Sequence, residues 1–299
     1  MTHGFITIAT GNVQYYKMAA NLLHSYRYFS EKPLPFAIFA DVKNEYTDEF
    51  DEVRLFSHAK RNYLDKLELF ELLPYDINIF IDADCLAYGD LNCLFDVFEK
   101  ADDFSCFGRV LPLDDKTGWF EYENLNDSLR REINYVVGLH GGIYYIRKTE
   151  KAKAVLECAR EFTVDYSSYG FKGKFSTPGD EPVVALSMAK NNCKPIPHDL
   201  RRILCYWEHV GQMKLSVPQG IALAKDINLQ TDLLHWGTRY TKTPLYRKQI
   251  ADLKTVMNGG SNFSLYRNAI KYGIINAWEH TIHFTKRCFN KLKRIMHLK

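Results

Sequence analysis

The first third of the chain alternates apolar, strand-like runs with helical patterns, and this alternation limits the possible folds more than any other feature. Residues 5–9, 35–40 and 77–81 are apolar runs rich in β-branched and aromatic side chains. Between them, residues 13–28 and 63–73 place apolar side chains at helical spacing. Strands that are apolar on both faces and separated by helices are typical of a parallel sheet covered by helices on both sides.

Polar residues follow two of these strands at their carboxyl ends. Residues 10–12 (Thr-Gly-Asn) come directly after the first strand, and residues 82–84 (Asp-Ala-Asp) come after the run 77–81. In α/β sheets of this kind, ligands bind beyond the carboxyl ends of the strands. The two segments are therefore the first candidates for a binding site.

The Asp-Ala-Asp segment predicts a metal site. Side chains alternate along an extended chain, so Asp82 and Asp84 point the same way and Ala83 points away. Two neighbouring carboxylates repel each other unless a cation lies close to them. Hard oxygen ligands suit Mg²⁺ or Mn²⁺, which bind the phosphates of a substrate together with one or two protein carboxylates. The alternative interpretation is a solvated acidic turn at a strand end.

Composition and charge exclude several classes of protein. Hydrophobic residues make up 46 % of the 299 residues, which excludes a disordered or fibrous chain. All 36 acidic residues lie at or before Glu279, so the body is slightly acidic, and we expect no nucleic-acid partner. The seven cysteines are scattered without a C-x-x-C pair, which indicates reduced thiols. No run approaches the roughly 20 apolar residues of a membrane span, and the first residues carry no secretory leader pattern. We therefore expect a cytoplasmic protein.

The last twenty residues form a basic, amphipathic segment. Residues 280–299 contain six lysines and arginines and no acid. Apolar residues recur every three or four positions there, among them Trp278, Ile282 and Phe289. A basic amphipathic helix suits anionic lipid headgroups, which predicts peripheral attachment to the inner face of a membrane. A solvated helix end and a dimer contact are the alternatives.

Five segments, in order along residues 5–245, resemble glycosyltransferase family 8, the group of glycogenin and lipopolysaccharide galactosyltransferases. They are Ile8-Ala9-Thr10-Gly11-Asn12 with Tyr15, Tyr16, Ala19 and Ala20; Lys66-Leu67-Glu68-Leu69-Phe70 with residues 75–95 around the Asp-Ala-Asp; His140-Gly141-Gly142-Ile143; Gly179-Asp180-Glu181; and Leu234-His235-Trp236-Gly237.

The resemblance implies a fold and a domain organisation. The fold would be the α/β GT-A fold, a single Rossmann-like domain with a mixed, mostly parallel sheet, helices on both faces and a helical C-terminal appendage. Residues 1–257 would form the catalytic domain, with nucleotide-sugar binding in 1–110 and the acceptor and catalytic part in 111–257. Residues 258–299 would form the helical basic tail.

The resemblance also implies roles for single residues. Asp82, Asp84 and His235 would bind Mn²⁺ (or Mg²⁺), which clamps the diphosphate of a UDP-sugar. The donor itself would contact residues of four of the five matching segments, namely Thr10, Asn12, Tyr16, Lys66, Asp82, Ala83, His140, Gly141, Gly142 and Gly237. Thr10, Asn12 and Tyr16 would line the uridine, with one of Tyr15 and Tyr16 left to ordinary helix packing. Lys66 would approach the phosphate or the sugar.

The sequence departs from the family pattern at three places. His140 replaces an asparagine that contacts the sugar, which leaves the transferred sugar open. The residues after Leu234-His235-Trp236-Gly237 differ from those of the family, so either Arg239 or Lys242 is expected to neutralise the leaving diphosphate. Glu181 stands where many relatives have glutamine, and a carboxylate stabilises or attacks an oxocarbenium-like centre better than an amide.

The alternative for Glu181 is a glutamate in the first turn of a helix, where it complements the helix dipole. Asp180 beside it is expected to bind a sugar hydroxyl and to share the catalytic site.

The function implied is a metal-dependent hexosyltransferase with a UDP-sugar donor, a glycan or glycolipid acceptor and retention of configuration. Two other classes stay open at this point. A haloacid-dehalogenase-type phosphohydrolase also uses D-x-D after an apolar strand, but Cys85 and Leu86 follow here instead of its threonine. A non-catalytic nucleotide-sugar binding protein would keep the scaffold and lose the metal ligands.

Overall fold

The computed structural model of the protein describes residues 1–169, 171 and 178–297, without the side chains of residues 280, 283, 284 and 286 onward. The chain divides into two compact units. The first comprises Met1–Leu204 with Thr231–His235, and the second comprises Cys205–Gln230 with Trp236–Lys299. The expected boundary after residue 257 stays a prediction.

The first unit is built around one large sheet. The strands of this part of the chain are β1 (His3–Ala9), β2 (Phe36–Ala40), β3 (Glu52–Leu55), β4 (Ile77–Ile81), β5 (Cys85–Ala87), β6 (Phe104–Leu111), β7 (Val136–Arg147) and β8 (Ile196–Pro197). Among the described residues, the sheet has the order β3-β2-β1-β4-β7-β6-β8. The pairs β3–β2, β2–β1, β1–β4 and β6–β8 are parallel, and β7 runs antiparallel to β4 and to β6. The sheet is therefore mixed and mostly parallel, as expected.

Helices cover both faces of this sheet. They are α1 (Val13–Phe29), α2 (Cys93–Val97), α3 (Asp127–Glu132), α4 (Glu150–Val164) and α5 (Asp180–Lys190), with short 3₁₀ helices at Thr47–Glu49, Tyr122–Asn124 and Tyr166–Tyr169 and a longer one at Tyr63–Leu72. Neighbouring residues of one strand belong to different cores: Phe5 packs in one cluster with α1, and Ile6 packs in the other with α4 and α5. Because successive side chains point to opposite faces, a continuous apolar strand fills both cores.

Two elements differ from the sequence-based expectation. The segment expected as a helix over 63–73 is a 3₁₀ helix, Tyr63–Leu72, which begins where the Asn62 side chain accepts a hydrogen bond from Leu64 N. It ends before Pro74, because a residue preceding proline disfavours helical backbone. Residues 141–146 (Gly-Gly-Ile-Tyr-Tyr-Ile) also have the pattern of a strand, and they are the second half of the longer β7, whose first half is hidden in sequence by Gly138 and His140.

A small sheet carries the late histidine into the first unit. Strand β13 (Leu233–His235) pairs antiparallel with β5, in the register His235 opposite Cys85. Among the described residues, the order of this sheet is β5, β13 and β9 (Leu204–Cys205). The register sets His235 beside the turn that follows β4.

The second unit is described by itself. Strands β10 (Met213–Ser216), β11 (Ile221–Ala224) and β12 (Leu229–Gln230) form an antiparallel sheet. Helix α6 (Pro244–Met257) begins with Thr243 as its cap, and α7 (Asn262–His297) continues the helical C-terminal part that was expected. The sequence Asn-Gly-Gly-Ser-Asn at 258–262 predicts a linker, and its first four residues lie between these two helices.

Within the described residues, every helix is too short or too polar for a transmembrane span. The basic side chains of the tail, and Phe289 with them, lie outside the described residues.

Candidate active site

The Asp-Ala-Asp segment forms the turn between β4 and β5. Cys85 N donates a hydrogen bond to Asp82 O at 3.1 Å, which closes the turn. Asp82 N donates to Gly142 O on β7 at 3.0 Å. Ala83 is buried in the core that contains α1, although residues 83 and 84 form a turn and not the extended chain on which the expected alternation of side chains rested. The turn is thus held by backbone on two sides, and its two carboxylates share one crevice.

His235 completes a set of three metal-ligating side chains. Its Nε2 lies 3.0 Å from Asp84 Oδ1 and 3.7 Å from Asp82 Oδ2. The side chains of all three residues are only 12 to 15 % exposed. Burial alone would lower the pKa of His235, but the Asp84 carboxylate outweighs it and raises that pKa.

The donor atoms suit a small divalent cation. Two carboxylates supply the hard oxygens that Mg²⁺ and Mn²⁺ prefer, and imidazole is a ligand for transition metals. The Cys85 thiol lies in the same neighbourhood, since one donor atom each of Asp84, Cys85 and His235 falls within 4.8 Å of the others. The residues therefore fit Mn²⁺ or Mg²⁺, the cofactors expected from the sequence.

Lys66 connects this metal-ligating set to the start of α5. Its ammonium lies 2.8 Å from Asp82 Oδ1 and 2.9 Å from Asp180 Oδ2, and it donates to Gly141 O at 3.3 Å. Its side chain is 10 % exposed. The lysine is therefore a buried counter-ion between two carboxylates that are 98 positions apart in the sequence.

Aromatic rings enclose the Lys66 ammonium. The ring centroids of Phe80 and Tyr144 lie 5.5 Å and 5.9 Å from Nζ, so the ring faces add cation–π attraction. Burial would lower the pKa of Lys66, yet Asp180 and Asp82 outweigh burial and raise it. Burial likewise raises the pKa of Asp82, although Lys66 opposes the change. The charged form of the lysine is therefore favoured throughout the neutral range.

Glu181 reaches into the site from the first turn of α5. Its Oε1 accepts a hydrogen bond from Gly141 N at 2.7 Å. Burial and the neighbouring Asp180 carboxylate raise its pKa to about 7. A glutamate that only complemented the helix dipole would stay in solvent, whereas this carboxylate is half-buried and bonded to β7. Its position allows it to change protonation state near neutral pH.

The two glycines of β7 are required by close packing. A Cβ on Gly141 would lie 2.7 Å from Glu181 Cγ. A Cβ on Gly142 would lie 2.6 Å from His140 Cε1 and 2.9 Å from His235 Nδ1. Neither position has room for a side chain without moving the site.

His140 belongs to a group of three histidines. Its ring centroid lies 5.3 Å from that of His235 and 5.5 Å from that of His198, and its Nδ1 accepts from Gly142 N at 3.1 Å. Burial, followed by the His235 charge, lowers the pKa of His140 well below its ordinary value. At neutral pH the ring is therefore uncharged.

The expected nucleotide residues lie at the end of β1. Thr10 Oγ1 donates to Asp65 Oδ2 at 2.8 Å, and Asn12 caps α1 by accepting from Gln14 N at 2.9 Å. The ring of Tyr16 is 2 % exposed, because Tyr16 lies on the buried face of α1, whereas Tyr15 is 37 % exposed. Of the two tyrosines, Tyr16 is thus the packed one, and it offers its hydroxyl group rather than an open ring face.

Three residues that the sequence reading did not single out organise this end of the sheet. Asp41, after β2, accepts hydrogen bonds from Gly11 N, the Tyr16 hydroxyl and Arg61 Nε. Asp65 accepts from Lys60 N at 2.7 Å and from Arg61 N at 2.9 Å. The position of Asp41 at a strand end was a usable signal. Asp65 gave none, because its partners meet only in the folded chain.

The last three candidates belong to the second unit. Gly237 has φ +70°, in the left-handed region that favours glycine, and a Cβ there would lie 3.1 Å from the Trp207 ring. Arg239 and Lys242 are exposed, and the Arg239 guanidinium lies 5.7 Å from the Tyr240 ring centroid. The other candidates lie in the first unit, and the choice between Arg239 and Lys242 stays open.

Solved structures share this architecture. An active-site mutant of LgtC in which glutamate replaces glutamine matches with a TM-score of 0.53 at 11 % identity, covering 85 % of this chain and 95 % of that one. The chain has the GT-A fold. The bifunctional glycosyltransferase WbbM, in its apo form, matches with a TM-score of 0.50 at 12 % identity, and its alignment covers 79 % of this GT-A chain but 46 % of WbbM.

The galactosyltransferase LgtC in complex with donor and acceptor sugar analogues has a TM-score of 0.49 at 10 % identity, over 78 % of this chain and 87 % of that one. No protein-family model and no curated protein sequence matches the chain. The comparisons therefore establish the GT-A fold, which is the fold that the resemblance to glycosyltransferase family 8 implied.

Replacing Lys66 by methionine tests the buried counter-ion. Lys66→Met leaves Asp82 and Asp180 buried without their cation, which we expect to lower the free energy of unfolding by about 3–5 kcal/mol at pH 8. The loss of unfolding free energy should be smaller at pH 5, because Asp82, whose pKa is raised, binds a proton and then no longer carries an uncompensated charge. Urea denaturation of the wild type and the variant at both pH values measures the free energy of unfolding.

Lys60→Met is the matched control. The Lys60 side chain is 47 % exposed and pairs with Glu68 at 3.6 Å, so its loss should cost less than about 1 kcal/mol. Equal effects of the two variants would contradict the counter-ion role of Lys66.

Proposed function

We propose that the protein is a metal-dependent glycosyltransferase that transfers a hexose from a UDP-sugar to a glycan or glycolipid acceptor, with retention of configuration. The observation that carries this proposal is the approach of both carboxylates to one histidine at the carboxyl end of a buried strand, with His235 Nε2 at 3.0 Å from Asp84 Oδ1 and 3.7 Å from Asp82 Oδ2. The GT-A fold supports it, because the solved structures that share it are glycosyltransferases.

Asp82, Asp84 and His235 would hold Mn²⁺ or Mg²⁺ in this crevice. A bound ion would supply Lewis-acid stabilisation of the negative charge on the departing diphosphate. The chain's own contribution is to fix the three ligands, by the backbone bonds of the turn and by the register of β5 and β13. Rigid ligands of this kind need little reorganisation when charge develops.

The nucleotide of the donor is proposed to lie at the end of β1. Thr10 and Asn12 present polar groups there, and the Tyr16 hydroxyl is bonded to Asp41. Asp41 is the fixed acceptor of this network, so we assign it to the nucleotide end as well. Asp65 accepts hydrogen bonds from the Thr10 hydroxyl and from Lys60 N in the loop before Asp65. We therefore assign Asp65 a positioning role.

The donor sugar is proposed to lie against β7 and α5. Gly141 and Gly142 let the backbone of β7 lie close to Glu181 and the histidines, the uncharged His140 offers a ring nitrogen, and Asp180 offers an acceptor for a sugar hydroxyl. Lys66 holds Asp180 and Asp82 in place and brings a positive charge toward the phosphates. Arg239 or Lys242 of the second unit would add a further cation at the leaving group.

Glu181 is proposed to act on the reacting carbon. In the transfer, the bond between the anomeric carbon and the UDP oxygen breaks and its electron pair leaves with UDP. The acceptor oxygen then bonds to that carbon and loses its proton. An ionised Glu181 would stabilise the oxocarbenium-like carbon or attack it, and retention follows if the acceptor enters on the face that UDP leaves.

The chain is proposed to work in the cytoplasm, with residues 280–299 attached to an anionic membrane surface. The six lysines and arginines of residues 280–299, with no acidic residue among them, support this proposal.

Asp84→Asn tests the metal role. The amide keeps the size of the side chain but binds a divalent cation more weakly, so Mn²⁺-dependent release of UDP from UDP-sugars should fall at least about a hundredfold. The measurement is UDP release over a panel of UDP-sugars, with a phosphate monoester as a parallel substrate to detect a phosphohydrolase.

Asp127→Asn is the control, because the Asp127 side chain is 82 % exposed and far along the sequence from the ligands. Undiminished turnover in Asp84→Asn, or phosphate release without UDP release, would contradict the proposal.

Glu181→Gln tests the catalytic carboxylate. The amide oxygen still accepts from Gly141 N, so the fold and the KM for the donor should change little, whereas kcat at pH 8 should fall about a hundredfold. In the wild type, kcat should rise with pH and level off above about pH 7, where Glu181 loses its proton. The variant should lack this inflection. A wild-type rate and an unchanged pH profile would return Glu181 to a structural role.

Removing residues 280–299 tests the membrane proposal. The truncated protein should bind vesicles that contain phosphatidylglycerol more weakly and should release UDP from soluble donor at the wild-type rate. Co-sedimentation with anionic vesicles, and with phosphatidylcholine vesicles as a control, measures this. Equal binding of both forms to anionic vesicles would refute it.

A further inference from the structure

The second unit contains a cavity of about 590 Å³ that the proposed chemistry does not use. This volume lies within the roughly 300–1,000 Å³ of small-ligand sites. Its walls are mostly apolar atoms, contributed by α6, α7 and the loops before them. The residues that line it include Tyr206, Tyr240, Pro244, Leu245, Tyr272 and Gly273.

One wall is a packed aromatic cluster. The Tyr206 ring stacks on Trp236 with centroids 4.5 Å apart and meets the edge of Tyr240 at 5.1 Å. Trp236 is fully buried and packs edge-on against Tyr246 at 5.1 Å. Rings locked in this way keep their positions, so the wall is preformed.

The charged residues of the lining are already neutralised by neighbours. Lys248 Nζ lies 2.6 Å from Asp252 Oδ2, and Glu279 Oε1 lies 3.8 Å from Arg247 Nη1. Neither charge requires a ligand of opposite sign. The cavity therefore selects an apolar occupant.

Gly273 keeps the cavity open on the side of α7. It lies in the interior of this helix, where glycine is less stable than alanine. A Cβ at Gly273 would have no atom within 4 Å, so close packing does not require glycine here. The missing side chain leaves room for the occupant instead.

An exposed apolar stripe on α7 borders the cavity. Phe263, Tyr266, Ile270, Ile274 and Trp278 are between 47 and 69 % exposed, and their spacing of three or four residues places them on one helix face. The small residues Ala269, Gly273 and Ala277 separate this stripe from the side of α7 that faces the cavity. A hydrocarbon chain lying along the stripe would thus reach the cavity without crossing a charged group.

The charges around the stripe favour an anionic lipid over a second copy of the chain. Residues 262–278 contain Arg267 and Lys271 and no acid, and both cations lie on one flank of the stripe in helical projection. Two copies packed through this face would bring like charges together, whereas a lipid phosphate would compensate them. Exposed Trp and Tyr side chains also suit a membrane interface.

We infer that this cavity binds the hydrocarbon chain of an anionic lipid, and, resting on the proposed function, that this lipid carries the acceptor. The second unit would then select a lipid-linked acceptor over a free glycan. The chain enters beside Gly273, and its phosphate lies near Arg267 and Lys271.

Filling the cavity tests this inference on the full-length protein. The probes are octyl and dodecyl phosphate below their micellar concentrations, with binding measured by calorimetry. The wild type should bind dodecyl phosphate saturably and octyl phosphate more weakly. Gly273→Phe should bind dodecyl phosphate at least tenfold more weakly, because the ring occupies the space of the chain. Ala269→Phe fills the cavity from a second position and should also bind dodecyl phosphate at least tenfold more weakly.

Ala277→Phe is the matched control, since it adds the same ring to an exposed position of α7 that does not line the cavity. It should bind dodecyl phosphate as the wild type does, within twofold. Equal binding by the wild type and Gly273→Phe would overturn the inference. Equal loss in all three variants would also overturn it, because the stripe alone would then hold the chain.

Two further measurements separate this inference from its alternatives. Light scattering should show a monomer, and a dimer that Ile270→Glu dissociates would identify a second copy as the occupant and overturn the inference. UDP release from soluble donor with Mn²⁺ should be unchanged in the two cavity variants, Gly273→Phe and Ala269→Phe, and in the control, Ala277→Phe. Absence of that activity in the wild type would refute the proposed function but not the binding of the hydrocarbon chain.

Discussion

The site depends on one buried ammonium group. Lys66 lies between Asp82 of the turn after β4 and Asp180 of the first turn of α5, and it also donates to Gly141 O on β7. Three elements that are distant in sequence thus meet at one charge. Without it, the Asp82 and Asp180 carboxylates would be buried without their shared counter-ion, which costs more than most single contacts in a protein. The lysine therefore holds the metal-ligating turn and the helix of Glu181 in one arrangement.

Backbone geometry then places the remaining groups around this charge. The parallel pairing of β1 and β4 brings the ends of both strands to the same edge of the sheet, so Thr10 and Asp82 both follow strand ends at that edge. The antiparallel pairing of β5 and β13 adds His235 from much later in the chain. The first unit alone therefore combines a metal-ligating set, a carboxylate with a pKa of about 7 and an uncharged histidine. That combination is what the proposed transfer of a sugar requires.

The predictable part of the structure is the part that local patterns determine. Continuous apolar strands and helical spacing predicted a parallel sheet with helices on both faces, which the mostly parallel sheet confirms. Side-chain alternation did not describe residues 82–84, because they form a turn and not extended chain. Local patterns could not predict the contacts of Lys66 and Glu181, because a sequence does not distinguish a buried lysine from a surface lysine. Asp65 was missed for the same reason. The cavity beside Gly273 arises from the packing of α6, α7 and the loops before them, which no single segment encodes.

The glycine pair of β7 has a consequence for how the proposed chemistry of this site could diversify. Since Gly141 and Gly142 have backbone alone facing Glu181, His140 and His235, that wall of the crevice offers no position at which a substitution reshapes it. Evolution or engineering would have to alter the proposed sugar preference through the neighbouring His140, or through α5. Random mutagenesis of the site should accordingly return inactive clones at the two glycines and altered ones beside them.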